Sequence, residues 1–130
     1  MRVLVVEDSY SALRLLRRKL ERAMRGDSAS LTIVEASTMK EARKYLRGCY
    51  NLILVDGSFP SDEGHPESEN GASFVTERRG AEGEFPAVII GISGSPLYNE
   101  NMLAAGADEA MFKEDAAKWI ITWVGERRKA

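Results

Sequence analysis

Five side chains that could act together chemically stand just past short apolar runs of this 130-residue chain. Glu7 and Asp8 follow the run at 3–6, Asp56 the run at 52–55, Ser93 the run at 87–92, and Lys113 the segment 109–112. Brought together, three carboxylates repel one another, and each would titrate above its usual range. A cation removes that conflict. Magnesium takes oxygen ligands, few of them from protein, and keeps waters or phosphate oxygens, so Mg2+ is the cofactor this set implies. Lys113 adds a compact positive charge able to hold a phosphate-sized anion. A carboxylate beside a divalent cation, an ammonium and a hydroxyl donor suits acceptance of a phosphoryl group. That reaction needs in-line placement and charge neutralisation more than a general base, and carboxylates do serve as acceptors.

For these residues to meet, the apolar runs must be neighbours in one sheet. The pattern supports this. Strands are expected at 3–6, 31–34, 52–55, 87–92 and 109–112. A helix is expected over 9–25, with Leu13, Leu16, Leu20 and Met24 on one face and Gly26 as its stop. Thr38 stands three before Glu41, a capping-box spacing that opens a second helix, with Ala42, Tyr45 and Leu46 inward and Gly48 at its close. Further helices are expected at 72–79, from Pro96 to Gly106, and at 114–127. The last carries Ala117, Ile120, Ile121 and Val124 as a core stripe, with Trp119 and Trp123 on its flank. Strands apolar throughout are covered on both faces and hence parallel, and right-handed crossovers put helices on both sides. The expected fold is a three-layer α/β/α doubly wound (βα)5 arrangement. In such folds ligands sit beyond the carboxyl ends of the strands, where the five residues fall.

Composition excludes several classes. Hydrophobic residues make up 44% and charged residues 29%, an ordinary globular balance that leaves out collagen-like and disordered readings. The length suits a single domain over 1–130. No apolar run approaches the length of a membrane span, and the amino terminus lacks a signal-peptide cleavage pattern. A net charge of −2 gives no reason to expect direct nucleic-acid binding. The single cysteine, Cys49, cannot form an internal disulfide, which suits a cytoplasmic setting, and it is expected to be a small, partly buried residue. His65, the one histidine, lacks the company a zinc site requires.

Four segments together resemble the receiver domain of two-component response regulators: 3–9, 52–60, 89–94 and 106–113, in the family's order and with workable spacings. The resemblance implies a flavodoxin-like, CheY-like fold with a five-stranded parallel sheet in the order 2-1-3-4-5. It implies Asp56 as phosphoacceptor, and Glu7 and Asp8 holding Mg2+ with Asp56 and the backbone carbonyl of Ser58. Ser93 and Lys113 would contact phosphoryl oxygens, while Gly57 and Gly94 would line the phosphoryl site, Gly94 keeping it accessible. A sensor histidine kinase or phosphotransfer protein is the implied partner, and the basic first helix (Arg14, Arg17, Arg18, Lys19, Arg22 and Arg25 against Glu21) is a candidate docking face. A homodimer or output contact through the fourth helix, fifth strand and fifth helix is the implied alternative use of the surface carrying the tryptophans. The implied role is that of a signalling switch rather than a metabolic enzyme.

Three departures from that pattern stand out. Residues 61–70 are an insertion with four carboxylates (Asp62, Glu63, Glu67, Glu69) and no Lys or Arg, expected to be a solvated loop beside the acceptor. Without it the chain carries a net +2. Ala110 stands where the family commonly has an aromatic that switches rotamer. Glu114 follows Lys113 where a cis-proline is frequent, so a trans bond is expected. The acidic insertion and Ala110 leave open a protein-interaction module of the same fold that works without phosphorylation. A flavodoxin-type electron carrier fits poorly, because Glu7 and Asp8 would repel a flavin phosphate, and a phosphatase would need an Asp-x-Asp pair after the first strand. The receiver pattern occupies 2–128, so the chain reads as a stand-alone receiver or one excised from a longer protein.

Overall fold

Each central strand feeds two cores at once. Along β1 (Arg2–Val6), Leu4 and Val6 point to one face and Val3 and Val5 to the other. In β3 (Leu52–Asp56), Ile53 and Val55 face one way and Leu52 and Leu54 the other. The two-residue period of a strand makes this division automatic once both faces are covered. It also explains why the strands read as unbroken apolar runs.

The structure, a computed structural model, describes residues 1–24, 27, 30–64 and 68–129. The remaining elements are α1 (Tyr10–Ala23), β2 (Thr32–Ala36), α2 (Met39–Lys44), β4 (Ser58–Pro60), β5 (Ser68–Asn70), α3 (Gly71–Ala81), β6 (Val88–Ile92), α4 (Pro96–Ala105), β7 (Glu109–Met111) and α5 (Lys113–Lys129). The main sheet runs β2-β1-β3-β6-β7, all parallel. With the short hairpin strands β4 and β5 set aside, this is the order 2-1-3-4-5. Strand order reverses at β1 and β3, so the chain ends there open a crevice at the carboxyl edge. Leu16, Leu20, Ile120 and Val124 of α1 and α5 pack on one face, and Ala42, Phe74, Val75 and Met102 of α2, α3 and α4 on the other.

Helix starts follow the caps written in the sequence. Ser9, Thr38, Asn70 and Ser95 each accept a backbone N–H of the following turn. Pro96 opens α4, and Gly106, at φ 116°, closes it in the left-handed conformation a side chain would resist. In α3, the buried Arg78 donates to the carbonyls of Leu46 and Gly48 at 2.7 and 2.6 Å and lies over the Tyr50 ring. It thereby closes the turn after α2.

Several expectations need correction. β2 begins one residue later and ends two residues later than the apolar signal at 31–34, because its pairing with β1 runs through Glu35 and Ala36, and the Ala36 carbonyl accepts the Glu7 N–H at 3.0 Å. The insertion is not all loop: its last three residues pair with Ser58–Pro60, just before it, as the antiparallel β4–β5 hairpin, with Phe59 buried. Ile121 is exposed, and Trp123, stacked on Trp119 at 5.5 Å, takes its place in the core. Cys49 is exposed. No peptide bond among the described residues is cis. Arg25, Gly26, His65 and Glu67 lie outside the described residues. Among those described, no helix is long and apolar enough to cross a membrane.

Candidate functional site

Glu7 leaves the end of β1 directly into the crevice and is fully buried. Its Oε1 accepts the N–H of Ser9, the cap of α1, at 3.1 Å, so one carboxylate oxygen is held by the turn it introduces. Asp8, next in the chain, is exposed. Asp56 is the last residue of β3, paired with Ile92 across the sheet, and 8% exposed. Carboxylate oxygens of Glu7, Asp8 and Asp56 all lie within 4.8 Å of one another.

Lys113 stands just past β7, as expected, and is the first residue of α5. Its Nζ lies 2.9 Å from Glu7 Oε2 and 3.7 Å from Asp56 Oδ1. Burial draws its ammonium down, but the hydrogen bond to Glu7 and the charges of Glu7, Asp56 and Asp8 outweigh burial and hold it above its ordinary value. Asp56 is pushed up to about 7, first by burial and then by the charge of Glu7, against the opposing pull of Lys113 and of the Gly57 N–H. That N–H donates to Asp56 Oδ1 at 2.8 Å. One ammonium thus does not offset burial together with the neighbouring Glu7 charge.

The donor set suits a hard divalent cation. Three carboxylates with their oxygens turned together, one of them on the solvent side where waters can complete a shell, match what Mg2+ takes from a protein. Mg2+ would be held by Glu7, Asp8 and Asp56. Ser58 begins β4 opposite Asn70, next to this group in the chain.

On the other side of Asp56, Ser93 is 4% exposed, its N–H donating to the Met111 carbonyl and its Oγ accepting the Ser95 N–H at 3.1 Å. A Cβ at Gly57 would sit 2.8 Å from Ser93 Oγ, so the hydroxyl lies against the residue after the acceptor. Gly94 is exposed, with open space where a side chain would go. Gly71 packs its backbone on the Asp56 carbonyl, and its N–H donates to Gly57 at 2.8 Å. Ala110 pairs with Gly91, and Met102 fills the space above them. The hairpin brings Asp62 and Glu63 into a groove with Asp8, Ser37 and Thr38, and Lys40 sits 3.7 Å from Asp62. The basic face of α1 is largely solvated; Arg17 pairs with Glu35, and Arg14 lies over the exposed Tyr10 ring.

All the residues expected at the site are therefore at one sheet edge. Asn99 and Tyr98, buried and half-buried beside Ser93, had no signal in the sequence beyond lying one turn into α4.

Among solved structures, the chain is similar to a CheY-like receiver domain protein from Methanospirillum hungatei (21% identity, 98% of this chain and 96% of that one, TM-score 0.70). It is also similar to a BeF3-activated DrrB receiver domain (14%, 99% and 97%, TM-score 0.73). A third is a response regulator from Burkholderia pseudomallei solved with a phosphorylated aspartic acid, a calcium ion and citrate (21%, 98% and 71%, TM-score 0.66). No family model and no curated protein matches the chain. The likeness lies in the fold: the chain has the flavodoxin-like fold of CheY-like response regulator receiver domains over nearly its whole length.

Proposed function

We propose that this chain is a phosphoaccepting receiver in which Asp56 takes a phosphoryl group from a phosphohistidine on a sensor kinase or phosphotransfer protein. The single observation that carries the reading is the setting of Asp56: a strand-end carboxylate beside Glu7, Asp8 and Lys113, with the Ser93 hydroxyl against the next residue, Gly57. An Asp56 oxygen attacks phosphorus, an O–P bond forms and the N–P bond breaks, and its electron pair leaves on the imidazole nitrogen, which takes a proton. Lys113 and Ser93 then hold two oxygens of the transferred group, and the backbone N–H of Gly57 keeps the carboxylate oriented. Mg2+, when bound, neutralises charge on the phosphoryl oxygens. Water later attacks phosphorus, the acyl O–P bond breaks, and inorganic phosphate leaves the free aspartate. The chain is in this reading a switch and not a metabolic enzyme, acting in the cytoplasm through protein contacts and without binding nucleic acid directly.

The test is incubation with phosphoramidate and Mg2+, followed by intact mass. Wild type should gain one phosphoryl group and Asp56→Asn none; no gain on wild type, or an equal gain on the variant, overturns the reading. A second reading, an interaction module independent of phosphorylation, draws on Ala110 and on Met102 filling the space beside it. It gains if saturating beryllofluoride with Mg2+ leaves the amide spectrum unchanged. The surface of α4, β7 and α5, where Leu97, Leu103 and Phe112 are exposed, is the candidate face for an output contact or homodimer; Trp123 is in the core and adds nothing to it.

A further inference from the structure

Two contacts tie the first turn of α4 to the strand ends around Asp56, and a third closes the turn itself. Asn99 Nδ2 donates to the Ser93 carbonyl at 3.1 Å, across the turn between β6 and the helix. The backbone N–H of Asn99 donates to the carbonyl of Ser95, the residue whose own N–H is held by Ser93 Oγ. Tyr98 packs against Gly57 so closely that a Cβ there would lie 2.6 Å from its own Cβ. Helix, serine turn and acceptor strand therefore meet with no slack.

Asn99 is 8% exposed, and its Oδ1 finds no hydrogen-bond partner among the described residues. A buried acceptor left unpaired is unfavourable, and each such group calls for a reason. Packing alone would be served as well by a leucine of similar size. What the amide does and a leucine cannot do is hold the Ser93 carbonyl. Fixing that carbonyl fixes the backbone of Ser93, and with it the direction from which its hydroxyl reaches the space over Asp56. We propose that Asn99 is a positioning residue that sets the Ser93 hydroxyl for its contact with the phosphoryl group. The inference rests on the phosphoacceptor reading and assigns Asn99 no contact with the reacting atoms.

A double-mutant cycle tests it. Initial rates of phosphorylation by phosphoramidate at saturating Mg2+ are measured by intact mass for wild type, Asn99→Leu, Ser93→Ala and the double variant. Asn99→Leu should slow the reaction by roughly three- to tenfold, the scale of a small misplacement of a reacting group. Asn99→Leu should then have no further effect in the Ser93→Ala background, because the residue acts through that hydroxyl. A purely structural role predicts effects that multiply. A single variant within about twofold of wild type, or multiplying effects, overturns the proposal. If Asn99→Leu does not fold, the side-chain amide resonances of Asn99 in the wild type decide. They should shift when beryllofluoride and Mg2+ are added, and unmoved resonances overturn the proposal. Absence of any mass gain on wild type removes the phosphoacceptor reading and this inference with it. A gain on wild type with Asn99→Leu unchanged removes only the inference.

Discussion

At the scale of single residues, the site is a conflict of charge held in place by burial. Asp56 sits at about 7 in the metal-free protein, whereas the unfolded chain returns it to an ordinary carboxylate value. Between roughly pH 4 and pH 7 the folded state keeps a proton that the unfolded state has released, so stability falls as pH rises through that window and levels off above it. We expect the metal-free melting temperature to drop over this range, Asp56→Asn to flatten the drop, and the variant to be the more stable protein at pH 8. An equal drop in the variant would place the titration elsewhere. Lys113 works in the other direction. Lys113→Met leaves the fully buried Glu7 without its ion partner and should cost about 2–3 kcal/mol in urea unfolding. That is less than a wholly buried pair loses, since the ammonium keeps water on one side. Glu7→Gln in the same background should recover most of the loss.

At the scale of elements, two loops decide how the acceptor is reached. Gly71 begins α3 with its backbone on the Asp56 carbonyl, and no side chain fits there without moving one of the two chains. Gly71→Ala should lower stability by about 1–3 kcal/mol, as overpacking does, read from thermal melting. The β4–β5 hairpin adds Asp62 and Glu63 to the groove that contains Asp8. Their charges deepen the negative potential at the carboxylate cluster. Asp62→Asn with Glu63→Gln should weaken Mg2+ binding about two- to fivefold at low ionic strength, and the difference should shrink as salt is added. Calorimetric titration at two salt concentrations measures both. Retained affinity at low salt would show that the hairpin acts only as cover.

At the scale of the whole molecule, the carboxyl edge of the sheet joins the acceptor to the helices. Binding of Mg2+ to the folded state alone should raise its stability, by about 2.7 kcal/mol at a hundredfold excess over the dissociation constant. Asp8→Asn should remove most of that gain in a melting experiment. Much of this was legible in one dimension. Unbroken apolar runs of strand length declared a doubly covered parallel sheet, the Thr38–Glu41 spacing marked a helix start, and the polar residues just past four of the five runs named the candidate site. These signals are local, and so survive without coordinates. What the sequence left undecided depends on residues distant in the chain. The β2 boundary was decided by hydrogen bonding to β1, not by its own hydropathy. The hairpin formed because Ser58–Pro60 and Ser68–Asn70 find each other, where composition alone suggested a solvated loop. Trp123 rather than Ile121 entered the core, where its ring stacks on Trp119, a contact the stripe pattern alone did not show. The amount by which Asp56 is raised, and the hold of Asn99 on Ser93, follow from burial and from contacts across several ångströms. Residue types on their own determined which groups could do the chemistry; only the tertiary structure decided how strongly each is perturbed, because electrostatics and packing depend on distance in space.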